Sequence, residues 1–141
     1  MPCAFDTNIF AYAAGIGQSE SDRRKVSLAE DLLAEVLKSD SLVMPIQVAA
    51  ELHNLLVRKG GLSRHAAAQL VQDYMIGATI IPTDLDVLET ALDAANRHQL
   101  QTYDAIILAA AAEAGCSVLY SEDMQHGFIW NGDCITLKPE G

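Results

Sequence analysis

Short, continuous apolar runs alternate along this chain with longer segments in which apolar residues recur every three or four positions. The runs at 2–5, 42–44, 79–81, 117–120 and 134–137 predict five brief strands, two of them stopped by Pro45 and Pro82. Between them the spacing predicts helices. A short one spans 9–14 and is broken by Gly15 and Gly17. The next is capped by Ser19 and Asp22 and carries Val26, Ala29, Leu33, Val36 and Leu37 on one face. A third runs over 46–58 and is ended by Gly60 and Gly61, and a fourth runs from a Ser63 cap to about 75. A fifth, capped by Thr83 or Asp84, places Leu85, Leu88, Leu92 and Ala95 on one face and ends near His98. The sixth spans 103–114 and is terminated by Gly115.

Strands that are apolar throughout, rather than alternating, are those buried on both faces. Their regular exchange with helices implies a mainly parallel sheet of five strands inside a three-layer α/β/α domain. With 141 residues there is room for one domain with a substantial core, and no repeat or linker divides the chain, so 1–141 reads as a single unit.

The sixth helix has an unusual feature. At about 100° per residue, Ile107, Leu108, Ala111 and Gly115 share a stripe, and Asp104 falls at its centre one turn earlier. A carboxylate aimed at a core is costly unless it is paired. Three further acids sit where they could accompany it. Asp6 directly follows the first strand, and Asp123 lies three residues beyond Tyr120 at the end of the fourth. In open parallel sheets, ligands bind outside the carboxyl ends of strands, where strand order reverses. Glu51 lies at the edge of the arc formed by Val48, Leu52, Leu55 and Leu56, about 40° from Leu55. Each acid alone has an ordinary explanation: a helix cap for Asp6, a favourable first-turn charge for Asp104, a solvated margin for Glu51 and a polar turn for Asp123. Together, four acids from four segments point to one sheet edge, and clustered carboxylates repel unless a cation neutralises them. Oxygen-only ligation suits Mg²⁺ or Mn²⁺, which keep waters and bind substrate phosphates.

Composition narrows the alternatives. The net charge of −10 argues against holding nucleic acid by phosphate neutralisation alone, although Arg23, Arg24 and Lys25, and Arg58, Lys59 and Arg64, form two basic groups. No apolar run approaches the ~20 residues of a membrane span. The residues before Asp6 lack the basic and apolar parts of a secretory signal, so none is expected. Cys3, Cys116 and Cys134 are odd in number and lie in apolar stretches, as expected of buried free thiols in a reducing cytoplasm. There is no Ser–His–Asp set, Cys-x-x-Cys pair or Gly-rich phosphate loop. His53, His65 and His98 have no ligand spacing, and only His126, just past the acidic turn, is placed to reach a substrate.

Asp6-Thr7-Asn8 after a first strand, Glu51 in a helix, Tyr103-Asp104-Ala105 opening another and Ser121-Glu122-Asp123 after the next strand resemble, in order and over nearly the whole chain, a PIN domain. The closest kind is the VapC-type ribonuclease toxins of toxin–antitoxin pairs. The resemblance implies a five-stranded parallel sheet between helices and a Mg²⁺- or Mn²⁺-dependent site that cleaves RNA, with Asp6, Glu51, Asp104 and Asp123 as its catalytic and metal-site acids. Glu122 adjoins Asp123, and the motif position favours Asp123. Thr7, Asn8 and Ser121 are close enough in sequence to support these acids or touch phosphate.

The expected activity is therefore metal-dependent hydrolysis of RNA phosphodiesters in the cytoplasm, with no further cofactor. The expected partners are RNA, a protein antitoxin that covers the acidic cleft with apolar and basic groups, and possible pairing of two copies as a homodimer. Two other readings compete. A PIN-like fold without catalysis would serve as an RNA- or protein-binding module, although it would have no reason to retain unpaired buried charge. A receiver domain, suggested by a small acidic fold with Lys138 after the last strand, would need paired acids after the first strand and an Asp after the third. Here Asp6 stands alone, and Ile81 is followed by Pro82 and Thr83.

Overall fold

Residues 2–16, 20–130 and 134–137 are described by the structure, a computed structural model. Ser19, Gly17 and Lys138, which figured in the sequence reading, lie outside them. The described elements run β1 (Cys3–Phe5), α1 (Thr7–Ala13), α2 (Glu20–Lys38), β2 (Leu42–Pro45), α3 (Ile46–Arg58) and α4 (Arg64–Ile76). They continue through β3 (Thr79–Ile81), α5 (Leu85–His98), α6 (Thr102–Glu113), β4 (Val118–Tyr120), β5 (Phe128–Trp130) and β6 (Cys134–Leu137).

The sheet order is β3-β2-β1-β4-β6-β5. The five strands expected from sequence are all parallel, with Ala4 beside Val43 on one side and Leu119 on the other. The sheet also has a strand absent from the sequence reading. β5 turns back antiparallel along β6, pairing Phe128 with Thr136 and Trp130 with Cys134. Three residues between polar turns show too little alternation to reveal a strand, and β5 exists because β6 offers it an edge.

The central strand β1 is buried along its whole length. From it the chain builds outward through β2 to β3, then returns across α5 and α6 to add β4 on the other side. The order therefore reverses between β1 and β4, and a crevice opens at their carboxyl ends. The Asp6 N–H donates to the Tyr120 carbonyl at 2.9 Å, so the two strands stay joined to the lip of the crevice. Phe5 and Phe10 meet edge to face at 5.7 Å between ring centroids and fasten α1 against β1, on either side of Asp6.

Local chemistry sets most helix starts. Asp84, rather than Thr83, caps α5 by accepting the Val87 N–H at 2.9 Å, and Ser63 caps α4 through the Ala66 N–H at 3.1 Å. Asp22 lies inside α2 and is not its cap. Gly115, with φ of +79°, supplies the left-handed turn that releases the chain from α6 into β4.

Two helices correct the sequence reading. On α5 the buried face is Val87, Ala91 and Ala94, whereas Leu85 and Leu92 are 68% and 51% exposed. α5 packs on α6, and interaxial distance depends on the side chains at the contact. A helix rich in alanine accepts a close neighbour through small side chains better than through leucines. On α6 there is no single stripe: every residue from 105 to 111 is buried. A helix that is apolar all round is a core helix. Asp104 is thus singled out by its place at the exposed first turn, where α6 emerges at the crevice, and not by its phase.

All three cysteines are free and buried, as expected. No helix among the described residues is long and apolar enough to cross a membrane.

Candidate active site

The crevice at the β1–β4 reversal is an open cleft of about 290 Å³. Asp6, Thr7 and Asn8 from the start of α1, Glu51, Asn54 and Leu55 from α3, and Gln101, Tyr103, Asp104 and Ile107 from α6 line it together with Asp123. The structure thus brings all four sequence-derived acids to one cavity.

Asp6 forms the floor. Only 4% of its surface is exposed, and it is held at both oxygens. One accepts the Ile9 N–H at 3.4 Å, so the residue does cap α1, and the other accepts the Ser121 hydroxyl at 2.6 Å. Ser121 in turn accepts the Met124 N–H at 3.1 Å, which ties Asp6 to the loop beyond β4. Capping and a functional role do not compete here, since the cap aims the carboxylate at the cleft.

Asp104 and Glu51 form the walls, each about half buried. Glu51 accepts a hydrogen bond from Gln47, one turn earlier on α3, at 3.3 Å. The adjacent acids Glu122 and Asp123 part company. Glu122 is engaged away from the cleft, paired with Lys25 of α2 at 2.5 Å and accepting the Tyr12 hydroxyl at 3.3 Å. The Lys25 ammonium also stands 5.6 Å from the centre of the Tyr12 ring. Asp123, exposed at the cleft rim, accepts the Asn8 amide at 3.1 Å. Of the three supporting residues expected from sequence, Asn8 therefore holds Asp123 and Ser121 holds Asp6.

The electrostatics are those of charges kept from water. Burial lifts the Asp6 carboxyl from 3.8 to about 7, with Asp123 and Asp104 adding repulsion while Ser121 and the Ile9 N–H resist the rise. Burial also raises Glu51, with repulsion from Asp104, and raises Asp104, with repulsion from Asp123. The Thr7 hydroxyl is near enough to Glu51 to favour its charged form, yet it is buried without a well-formed hydrogen bond.

This donor set fits a hard divalent cation. The acids offer only oxygen, their charges are mutually uncompensated, and Thr7 leaves a buried hydroxyl unsatisfied. Among the described residues no three acids, histidines or cysteines converge tightly enough to make a ready ligand cage. Mg²⁺ usually takes one or two carboxylates and keeps several waters, so it asks less convergence of the side chains than a caged structural ion does.

The sequence reading did not name Asn54 or Gln101 and gave Tyr103 only as part of the motif around Asp104; the three complete the rim. Asn54 is three residues after Glu51 on the same helix face, and Gln101 and Tyr103 flank the start of α6, so proximity to the acids was an available signal. His126 is not among the lining residues. His53 contacts the Arg64 carbonyl and His98 the Phe128 ring.

A sequence model of the PIN domain matches residues 3–127. No curated protein sequence matches the chain. Several solved structures share its fold. The Sarcin-Ricin loop cleaving toxin VapC20 of Mycobacterium tuberculosis superposes with a TM-score of 0.68 at 21% identity, over 86% of this chain and 89% of that one. A toxin-antitoxin complex from Klebsiella pneumoniae gives 0.67 at 18% identity over 97% of each chain. FitAcB from Neisseria gonorrhoeae gives 0.63 at 15% identity over 98% of each.

Proposed function

The chain belongs to the PIN domain family, and from that premise we propose that it is a divalent-metal-dependent endoribonuclease, the toxin of a toxin–antitoxin pair. The observation that carries this reading is the convergence of Asp6, Glu51, Asp104 and Asp123 from four separate segments on one cleft at the strand-order reversal.

Asp6 and Asp104 are the central ligands in this reading, with Glu51 and Asp123 completing the shell directly or through water. Ser121 keeps the Asp6 carboxylate turned into the cleft, and Asn8 does the same for Asp123. Loss of the Asp6 proton is the cost of loading the site near neutral pH, because its carboxyl titrates at about 7. The ion these residues would hold, Mg²⁺ or Mn²⁺, would supply Lewis-acid polarisation of the phosphodiester and acidify a water for attack.

The toxin role draws support from the toxin–antitoxin structures that share the fold. An antitoxin segment with apolar and basic groups would suit the acidic cleft, a cation there competing with the metal. Three buried free thiols accord with action in a reducing cytoplasm.

Cleavage of RNA by the purified chain with Mg²⁺ or Mn²⁺, and its loss in Asp104→Asn with circular dichroism unchanged, is the expected result. Calorimetry should show Mn²⁺ binding to the parent protein. A folded parent that neither binds Mn²⁺ nor cleaves RNA would return the chain to the binding-module reading.

A further inference from the structure

Resting on the nuclease reading above, we infer that Tyr103, with the carboxamides of Gln101 and Asn54, forms a docking site for one unpaired nucleobase next to the scissile phosphate. Tyr103 is 59% exposed at the cleft mouth, one residue before Asp104. Among the described residues no hydrogen bond or ring contact engages it, although Phe5, Phe10, Tyr12, Tyr74, Tyr120 and Phe128 all have partners. A large ring left bare on the wall of a charged cleft is unexplained by packing.

Its neighbours are bare as well. Gln101 occupies the N-cap position of α6, yet its side chain makes no capping bond. Asn54 is exposed on α3, lining the same cleft, and among the described residues no hydrogen bond holds it. A carboxamide has both donors and an acceptor, which match the mixed edges of a base and not a phosphate.

Charge sharpens the assignment. Among the described residues that line the cleft none is Lys or Arg, and Lys59 lines the adjoining pocket that shares Asn8 and Leu55 with it. A metal held by the acids would take the reacting phosphate, and the Tyr103 side of the cleft offers the rest of the nucleotide neutral groups. Aromatic stacking and amide contacts are such groups, and they reach a base only when it is out of a duplex. A cleft of about 290 Å³ has room for a nucleotide. The ligand that fits this part of the rim is therefore one unpaired base splayed onto the Tyr103 ring.

The test uses a short single-stranded RNA carrying 2-aminopurine, titrated with the full chain in Ca²⁺, and cleavage kinetics of the same RNA in Mn²⁺. Stacking on Tyr103 should quench the probe at the cleavage-flanking position. Tyr103→Ala should abolish that quench and weaken binding roughly five- to hundredfold. The loss should fall on KM more than on kcat, while Tyr103→Trp and Tyr103→Phe stay near the parent. If the parent cleaves and Tyr103→Ala binds and cleaves equally well, the base site is overturned and the nuclease reading stands. Duplex RNA bound as tightly as the single strand also overturns it. A folded parent that neither binds nor cleaves removes both.

Discussion

The floor and the rim of the cleft carry the same chemical group under opposite conditions. Asp6 is buried, held at both oxygens by a backbone amide and a serine, and titrates at about 7. Asp123 is exposed and accepts the side-chain amide of Asn8. Beside it Glu122, one residue away in sequence, is held by Lys25 and Tyr12. A carboxylate on the floor is destabilising until something neutralises it, whereas one on the rim is tolerated by water. The contrast teaches where metal binding and stability are coupled: at Asp6 far more than at Asp123.

The largest break in this comparison is Asp6→Asn. An acid whose folded pKa is raised contributes stability below its unfolded value, near 3.8, that is lost as pH rises through about 7. Metal-free parent protein should therefore weaken between about pH 4 and pH 7. Asp6→Asn should be the more stable of the two at pH 8, by at most on the order of 4 kcal/mol. Thermal melts in EDTA at pH 5 and pH 8 measure the difference. Mn²⁺ should raise the melting temperature of the parent and leave that of the variant unchanged. A variant less stable than the parent at pH 8 would show that the Asp6 charge is already compensated.

Ser121→Ala probes the same floor from its partner. It removes the donor to Asp6 and the acceptor of the Met124 N–H, at a cost of about 1–3 kcal/mol. Without the Ser121 hydrogen bond the Asp6 carboxyl rises further. The pH at which metal-dependent cleavage reaches half its maximum should then move upward, while kcat on the alkaline plateau changes little. A pH–rate profile that only scales down, with no shift, would count against the link.

The smallest effect belongs to the pair beside the rim. Lys25→Met releases Glu122 from a partly exposed ion pair, and such pairs contribute about 0.2–1 kcal/mol. A small fall in stability measured by urea unfolding is expected, with Mn²⁺ affinity retained. A loss as large as that of Ser121→Ala would mean that the loop beyond β4 depends on the pair.

Much of the fold could be read from the chain because its signals are local. The apolar runs became β1, β2, β3, β4 and β6, and Ser63, Asp84 and Gly115 mark helix ends through their own hydrogen bonds and backbone angles. β5 could not be read, since a three-residue strand is defined by the edge it pairs with. The faces of α5 and α6 were misread for a related reason. Periodicity shows which residues could be buried together, but the alanine-rich neighbour decides which of them are.

For the cleft, the sequence alone determined the acids. Asp6 and Asp123 follow strand ends, Asp104 opens a helix and Glu51 lies within one, and the family motif orders them, although the stripe read around Asp104 was not what sets it apart. Only the tertiary structure decided which acid faces where. Glu122 and Asp123 are chemically alike and adjacent, and they are separated by Lys25 and Asn8, which lie about a hundred residues away in the chain. The rim of Tyr103, Gln101 and Asn54 became visible in the same way, because exposure at a shared cavity is a property of packed elements and not of any one of them.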